Sequence, residues 1–382
     1  MSNSALLILL LGWFITTTAP DGRTASAEKR ESAAIIAAPT SSEFGRTQEV
    51  RVLHLGDSHI QADFFTGEVR RLLRSYLKDT LPQRGFVFPF SIAGSNNPLD
   101  YKSTSTGSWE TSKSMDMRDS TVFGINGIVL KTKDITSTVT LKLKSEKNRF
   151  NKVRIFYASS RHIAPTVTGN FSITKSIINK ESGFVDYMLS TKVDSITIAL
   201  KGIPNSGEFV LHGVFMQDTE SAFSYNVVGL NGASTTSFLR CNRLSSDIKG
   251  INPTHVIISL GTNDAYSASF SPQDLRTNLE TIVRRVRESA PFATIILTTP
   301  GDFLAKGGKA TIAPKIASEI IAYVAEENNC IVWDFFAQMG GEGSIEEWYK
   351  QGLAAPDRLH LSKDGYKVQG QMFFEWLTNI NS

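Results

Sequence analysis

At 382 residues, with 41% hydrophobic and 20% charged residues, the chain has the composition of an ordinary globular protein with room for two domains. Its 40 basic residues against 37 acidic ones leave a formal charge of +3, spread along the chain rather than clustered, so no nucleic-acid partner is expected. The two cysteines, Cys241 and Cys330, are compatible with one disulfide or with two buried thiols, and neither stands in a metal-ligand spacing.

The amino terminus carries an apolar core, Ala5 to Ile15, of signal-peptide length and too short to favour a spanning helix. Ala25-Ser26-Ala27 supplies a small-x-small cleavage pattern, while Met1-Ser2-Asn3-Ser4 lacks the usual Lys or Arg, which leaves an uncleaved anchor as the alternative. No cysteine follows the apolar core, so a lipoprotein anchor is not expected. The expectation is a signal peptide at 1–27, an exported mature chain from Glu28 with no stable membrane insertion, and a linker at 28–48 rich in Ala, Ser, Thr and Glu.

Next comes Val52-Leu53-His54-Leu55-Gly56-Asp57-Ser58-His59, a buried-strand pattern that stops at a serine. Ile60, Phe64, Phe65, Val69, Leu72, Leu73, Tyr76 and Leu77 then recur at three- and four-residue steps, predicting a helix. Ser58 would stand between the two, among free backbone N–H groups at the positive end of the helix, a place suited to a nucleophile and a developing oxyanion. Asp57 or Ser58 would equally serve as a plain helix cap.

From about residue 85 to 222 the helical period stops and short alternating runs take over: 138–143, 152–157, 194–200 and 208–215. Strands with turns between them indicate a β-sandwich inserted after the first β-α unit. The α/β rhythm resumes at Asn226. Val227-Val228 leads into Gly229-Leu230-Asn231-Gly232-Ala233-Ser234, where Gly232 would let a substrate approach its backbone N–H. A strand at 256–260 stops at Gly261-Thr262-Asn263-Asp264, where the Asn263 amide could face a substrate oxygen. Both stretches also read as ordinary turns. A helix starts at Ser271-Pro272, followed by a strand at 293–298, a helix at 311–328, a strand at 330–335 and a final helix at 363–378. Before that last helix lies Asp357-Arg358-Leu359-His360. Its three-residue offset lets the carboxylate hold one imidazole nitrogen and leaves the other free to take a proton, although a helix start with an incidental histidine has the same letters. This alternation implies a parallel sheet with helices on both faces and a site at the carboxyl ends of its strands.

Taken in this order, the four segments resemble the SGNH hydrolases, the GDSL esterase/lipase superfamily, over roughly 49–84 and 223–380. The resemblance implies an α/β, flavodoxin-like three-layer fold with its hydrolase domain split between 49–84 and 223–382, around the β-sandwich at 85–222. It also implies Ser58 as nucleophile, His360 as base, Asp357 as its orienter, and an oxyanion hole of the Ser58 and Gly232 N–H groups with the Asn263 amide. The stretches Phe86-Val87-Phe88-Pro89, Thr104 to Glu110, Trp333-Asp334-Phe335, Met339-Gly340-Gly341, Trp348 and Gly352-Leu353 look like the branch of bacterial peptidoglycan O-acetylesterases, whose insert resembles a carbohydrate-binding module. Trp109 and nearby aromatics would either stack on a sugar or fill the sandwich core.

What the resemblance implies, then, is an exported serine esterase, periplasmic or secreted, that removes O-acetyl groups from a glycan through an acyl-enzyme. Peptidoglycan is the first substrate expected, with acetylated xylan or another glycan second. Acetyl transfer to a sugar acceptor, or a non-catalytic glycan-binding protein on the same scaffold, are the remaining readings. No cofactor and no metal are expected. His54, His162, His212 and His255 are expected to be structural, His59 to adjoin the nucleophile, and Asp57 and Asp264 to shape their loops.

Overall fold

A computed structural model describes residues 50–76, 84–145, 149–160 and 162–379, and the expected signal segment and linker lie outside them. The first strand, β1 (Val50–Gly56), is followed by the short helix α1 (Ser58–Gln61) and by α2 (Phe64–Tyr76). Strands alone follow among the described residues. They are β2 (Gly85–Val87), β3 (Tyr101–Thr106), β4 (Glu110–Lys113), β5 (Ile128–Thr132), β6 (Thr138–Leu143) and β7 (Phe150–Ser159). After them come β8 (Ile163–Thr168), β9 (Ile173–Asn179), β10 (Phe184–Val193), β11 (Ser195–Gly202) and β12 (Phe209–Gln217). The strand β13 (Phe223–Gly229) restarts the α/β run: α3 (Thr235–Leu239), α4 (Leu244–Ile251), β14 (His255–Ser259), α5 (Thr262–Tyr266) and α6 (Pro272–Ser289). It ends with β15 (Thr294–Thr298), α7 (Ala313–Glu327), β16 (Ile331–Trp333), α8 (Phe335–Met339), α9 (Ser344–Lys350) and α10 (Lys363–Asn379).

The parallel sheet runs β13-β1-β14-β15-β16, the 2-1-3-4-5 order of a flavodoxin-like fold, as expected. The two-residue period of β1 sorts its side chains between faces. Val50 and Val52 join Phe65, Val69 and Leu73 of α2 and Phe373 and Leu377 of α10 on one side. Leu53 and Leu55 join Leu279, Ile282, Val283 and Val286 of α6 and Ile321 and Val324 of α7 on the other. The order reverses beside β1, between β13 and β14, and loops leaving the carboxyl ends of these strands open there into a crevice.

Where one helix was expected after Ser58, the chain makes two. Asp63, at φ 62, breaks the run and accepts the Gly67 N–H as α2 begins. Its carboxylate takes the Thr66 hydroxyl and the guanidinium groups of Arg70 and Arg84. Ser58 therefore heads a helix of four residues, so local N–H groups rather than a long helix dipole surround it.

The strand-rich residues form a larger antiparallel sheet, β4-β5-β12-β7-β10-β9 with β2 on β12, and a smaller one, β3-β6-β11-β8. Val139, Leu141 and Leu143 of β6 point inward while Thr138, Thr140 and Lys142 alternate outward. The Tyr187 hydroxyl of β10 donates to the Pro165 carbonyl of β8, joining the two sheets (2.5 Å). The larger sheet also packs on the α/β portion, where Arg154 pairs with Asp186 and donates to the Gly250 carbonyl of α4. β2 enters beside β12, pairing Val87 with Val214 and Gly85 with Met216. Asn226 of β13 accepts the Phe86 N–H (3.0 Å) and donates to the Val52 carbonyl (2.8 Å) at that junction.

Trp109 packs edge-on against Phe209, and its indole N–H goes to the Thr106 carbonyl. Cys241 and Cys330 are both free thiols. No helix among the described residues is long and apolar enough to cross a membrane.

Candidate active site

Three of the expected residues meet in one hydrogen-bonded chain. The Ser58 Oγ lies 2.9 Å from His360 Nε2, and His360 Nδ1 lies 2.8 Å from Asp357 Oδ2. Ser58 is set by β1, 302 positions away from a histidine that stands in the loop before α10. That loop is rigid for local reasons. Asp357 Oδ1 accepts the N–H groups of Leu359 and His360, each at 3.0 Å, and the Ala355 N–H returns to the His360 carbonyl. Burial would raise the Asp357 pKa, but the bond from the His360 ring and those two N–H groups outweigh it and hold the carboxyl below its usual range. The charged carboxylate thus fixes the tautomer that leaves Nε2 to accept from the serine.

Gly232 sits on the other side of β1, in the turn after β13. Its φ of +76 is a glycine conformation, and a Cβ there would also meet the Met115 methyl at 3.0 Å. The turn is pinned by a residue the sequence reading missed. Gln61 is buried, accepts the Asn231 N–H (2.8 Å), and donates to Ser95 Oγ and the Asn96 carbonyl. A buried glutamine three residues after Ser58, on the same helical turn, was the available signal. Among the described residues no acceptor takes the N–H of Ser58 or of Gly232.

Asn263, at the start of α5, gives one amide proton to Asp57 Oδ2 (3.0 Å) and the other to the Ala233 carbonyl (2.9 Å). The sequence reading aimed this amide at a substrate oxygen; in the folded chain it bridges the loops after β1 and β13. Asp57 also caps α1 by accepting the His59 N–H at 3.0 Å, so the capping alternative is realised beside the triad-like geometry. Burial pushes the Asp57 carboxyl up to about 7, against the His59 N–H and His360. Asp264 receives the N–H and hydroxyl of Thr235, the first residue of α3, and so shapes its loop.

His59 packs flat on His360, ring centres 5.0 Å apart and 25° between planes, and its Nδ1 meets the Tyr366 hydroxyl at 2.9 Å. Burial, then the neighbouring His360, lowers its pKa to about 3, so a neutral ring backs the histidine that faces Ser58. Tyr366 was not foreseen, because only folding brings α10 to α1. His54 is buried between the Tyr225 hydroxyl (2.8 Å) and Ser259 Oγ (2.7 Å), and burial lowers it to about 3. His212 is buried in β12 and His255 meets Thr254 Oγ1, both away from the serine. Behind Asp57 and His59 lies a cavity of about 40 Å³ lined by Ser259, Thr298, Asp302 and Gln369, room for a few waters and not for a long acyl chain.

The arrangement can activate a serine hydroxyl and receive a developing oxyanion on backbone N–H groups, which is the apparatus of acyl transfer. Residues 194–368 match the model of the GDSL-like Lipase/Acylhydrolase family. The fold is similar to the solved structure of a peptidoglycan O-acetylesterase, at 22% identity over 89% of this chain and 93% of that one, with a TM-score of 0.71. A lipase/acylhydrolase from Enterococcus faecalis is similar over 41% of this chain and 76% of its own (23% identity, TM-score 0.34). An acetyl xylan esterase is similar over 40% and 80% (17% identity, TM-score 0.33). No curated protein sequence matches the chain.

Proposed function

We propose that this chain is an exported carboxylic ester hydrolase of the SGNH superfamily that removes O-acetyl groups from a glycan, peptidoglycan first. The single observation behind this reading is the Ser58–His360–Asp357 chain, with bonds of 2.9 and 2.8 Å, at the carboxyl end of β1. In this mechanism His360 Nε2 takes the Ser58 proton as Oγ attacks the acetyl carbonyl. The oxyanion is received by the N–H groups of Ser58 and Gly232, and the Asn263 amide turns one proton to it from Asp57 or Ala233. Collapse returns the proton from Nε2 to the departing sugar oxygen and leaves acetyl on Ser58. Water, deprotonated by the same nitrogen, then releases acetate.

The likeness to a peptidoglycan O-acetylesterase, which runs through the strand-rich region as well as the α/β portion, is why that glycan is named first. Export rests on the apolar segment Ala5 to Ile15 and the Ala25-Ser26-Ala27 pattern. The test is acetate release by residues 28–382 from O-acetylated peptidoglycan and from acetylated xylan, beside Ser58→Ala. Release from peptidoglycan that vanishes in the variant is the expected result. Ser58-dependent release from xylan alone would move the substrate, and release that survives Ser58→Ala would overturn the nucleophile.

A further inference from the structure

The site continues into a cleft of about 420 Å³ that starts at Gly232 and Asn263. Its walls come from distant parts of the chain. On one side the turn after β4 presents Met115 and Met117, which are 36% and 65% exposed. On the other stand Thr236 of α3 and Phe270 and Asn278 around the start of α6. Two exposed methionines side by side offer apolar surface that folding leaves in water, and they do so next to the reacting groups.

The methionine turn is fastened in place. Arg240, directly after α3, donates through its guanidinium to the carbonyls of Ser114, Asp116 (2.6 Å) and Asp119. The same guanidinium lies 5.6 Å from the centre of the Phe123 ring. The helix α3 itself begins just after Gly232, capped by Ser234. One short helix therefore sets both the Gly232 turn and the methionines above it, which explains how the Met115 methyl comes to stand over Gly232. Opposite, Asn278 Nδ2 gives its protons to Thr235 and Thr236 (3.2 and 3.1 Å). Among the described residues this leaves the Thr236 hydroxyl proton and the Asn278 carbonyl oxygen without partners.

Apolar, polarisable methionines together with threonine and asparagine in one cleft match a pyranose ring, which has a C–H face and a rim of hydroxyls. We propose that this cleft is a subsite for a neutral sugar ring of the acetylated glycan, with Met115 and Met117 under its C–H face and Thr236 and Asn278 on its hydroxyls. The inference rests on the glycan reading of the substrate. It means that the strand-rich region takes part in selecting the glycan beside Gly232, through its methionine turn.

The test uses the full chain with Met117→Ser, at the more exposed of the two methionines. Acetate release from O-acetylated peptidoglycan and xylan is compared with hydrolysis of p-nitrophenyl acetate, which has no sugar. The subsite predicts a fall of about tenfold in kcat/KM on the glycan, carried by KM, with the aryl ester changed by less than about twofold. Unchanged kinetics on both substrates would overturn the subsite and leave the glycan esterase standing. An equal fall on both would also overturn it, since Met117 would then act on the reacting centre. A wild-type protein that cleaves the aryl ester but no glycan would remove the glycan reading and the subsite with it.

Discussion

Asn263 has a structural task beside the oxyanion role proposed for it. Its amide supplies the buried Asp57 with a donor and ties the Ala233 carbonyl to the loop after β14. Asn263→Ala should therefore lower turnover by roughly a hundred- to a thousandfold through loss of an oxyanion donor. It should also cost about 1–3 kcal/mol of stability, because Asp57 Oδ2 is left buried without that donor. Turnover and urea unfolding of the same preparation check both parts, and near-normal turnover would remove Asn263 from the proposed oxyanion hole. The residues with chemical character, Ser58, Gly232, Asn263, Asp357 and His360, were legible because each sits in a short motif with a local signature. Gln61 and Tyr366 were not, since a lone glutamine or tyrosine acquires its meaning only from the turn or ring it meets.

At the scale of elements, the clearest departure is the break between α1 and α2. Hydrophobic period alone predicted one helix, because Ile60, Phe65, Val69 and Leu73 do share a face. At the break stands an ion cluster from three places in the chain: Asp63 before α2, Arg70 within it, and Arg84 with Asp100 where the strand-rich region begins. Burial would raise the Asp63 pKa, but Arg70 and Arg84 outweigh it and hold it down at about 2. Arg84, with a side chain only 2% exposed, bridges Asp63 and Asp100 (2.9 Å to the latter). Arg84→Met should destabilise the protein by about 3–5 kcal/mol by leaving the buried Asp63 carboxylate short of a partner. Adding Asp63→Asn should recover part of that loss, and a double-mutant cycle by urea unfolding measures the coupling. A single-variant cost below about 1 kcal/mol would mean that the cluster does not hold the junction.

For the molecule as a whole, buried neutral histidines set the acid limit of stability. His212 lies in β12 at 1% exposure with no hydrogen-bond partner for either ring nitrogen, and burial, then Arg243, lowers its pKa from 6.5 to about 3. A lowered folded pKa means stability that is fully present above 6.5 and lost as the pH falls toward 3, because only the unfolded chain takes up the proton. The slope is up to about 1.4 kcal/mol per pH unit for each such group. His54 and His59, both also near 3, add to the same window. As the pH falls from 7 to 4, His212→Leu should lose less unfolding free energy than the parent chain. Parallel curves would show that His212 is not a buried neutral group.

The sequence by itself determined the fold class, the succession of strands and helices along the α/β portion, and the candidate residues. These rest on hydrophobic period, turn chemistry and short motifs, all of which act over a few residues. Tertiary structure alone decided that His59 backs His360, that Asn263 serves Asp57 before any substrate, and that Met115 stands over Gly232. It also decided that both cysteines stay free thiols. Each of these depends on which distant segments the buried faces bring together, and the residues around each of these positions do not name its partner.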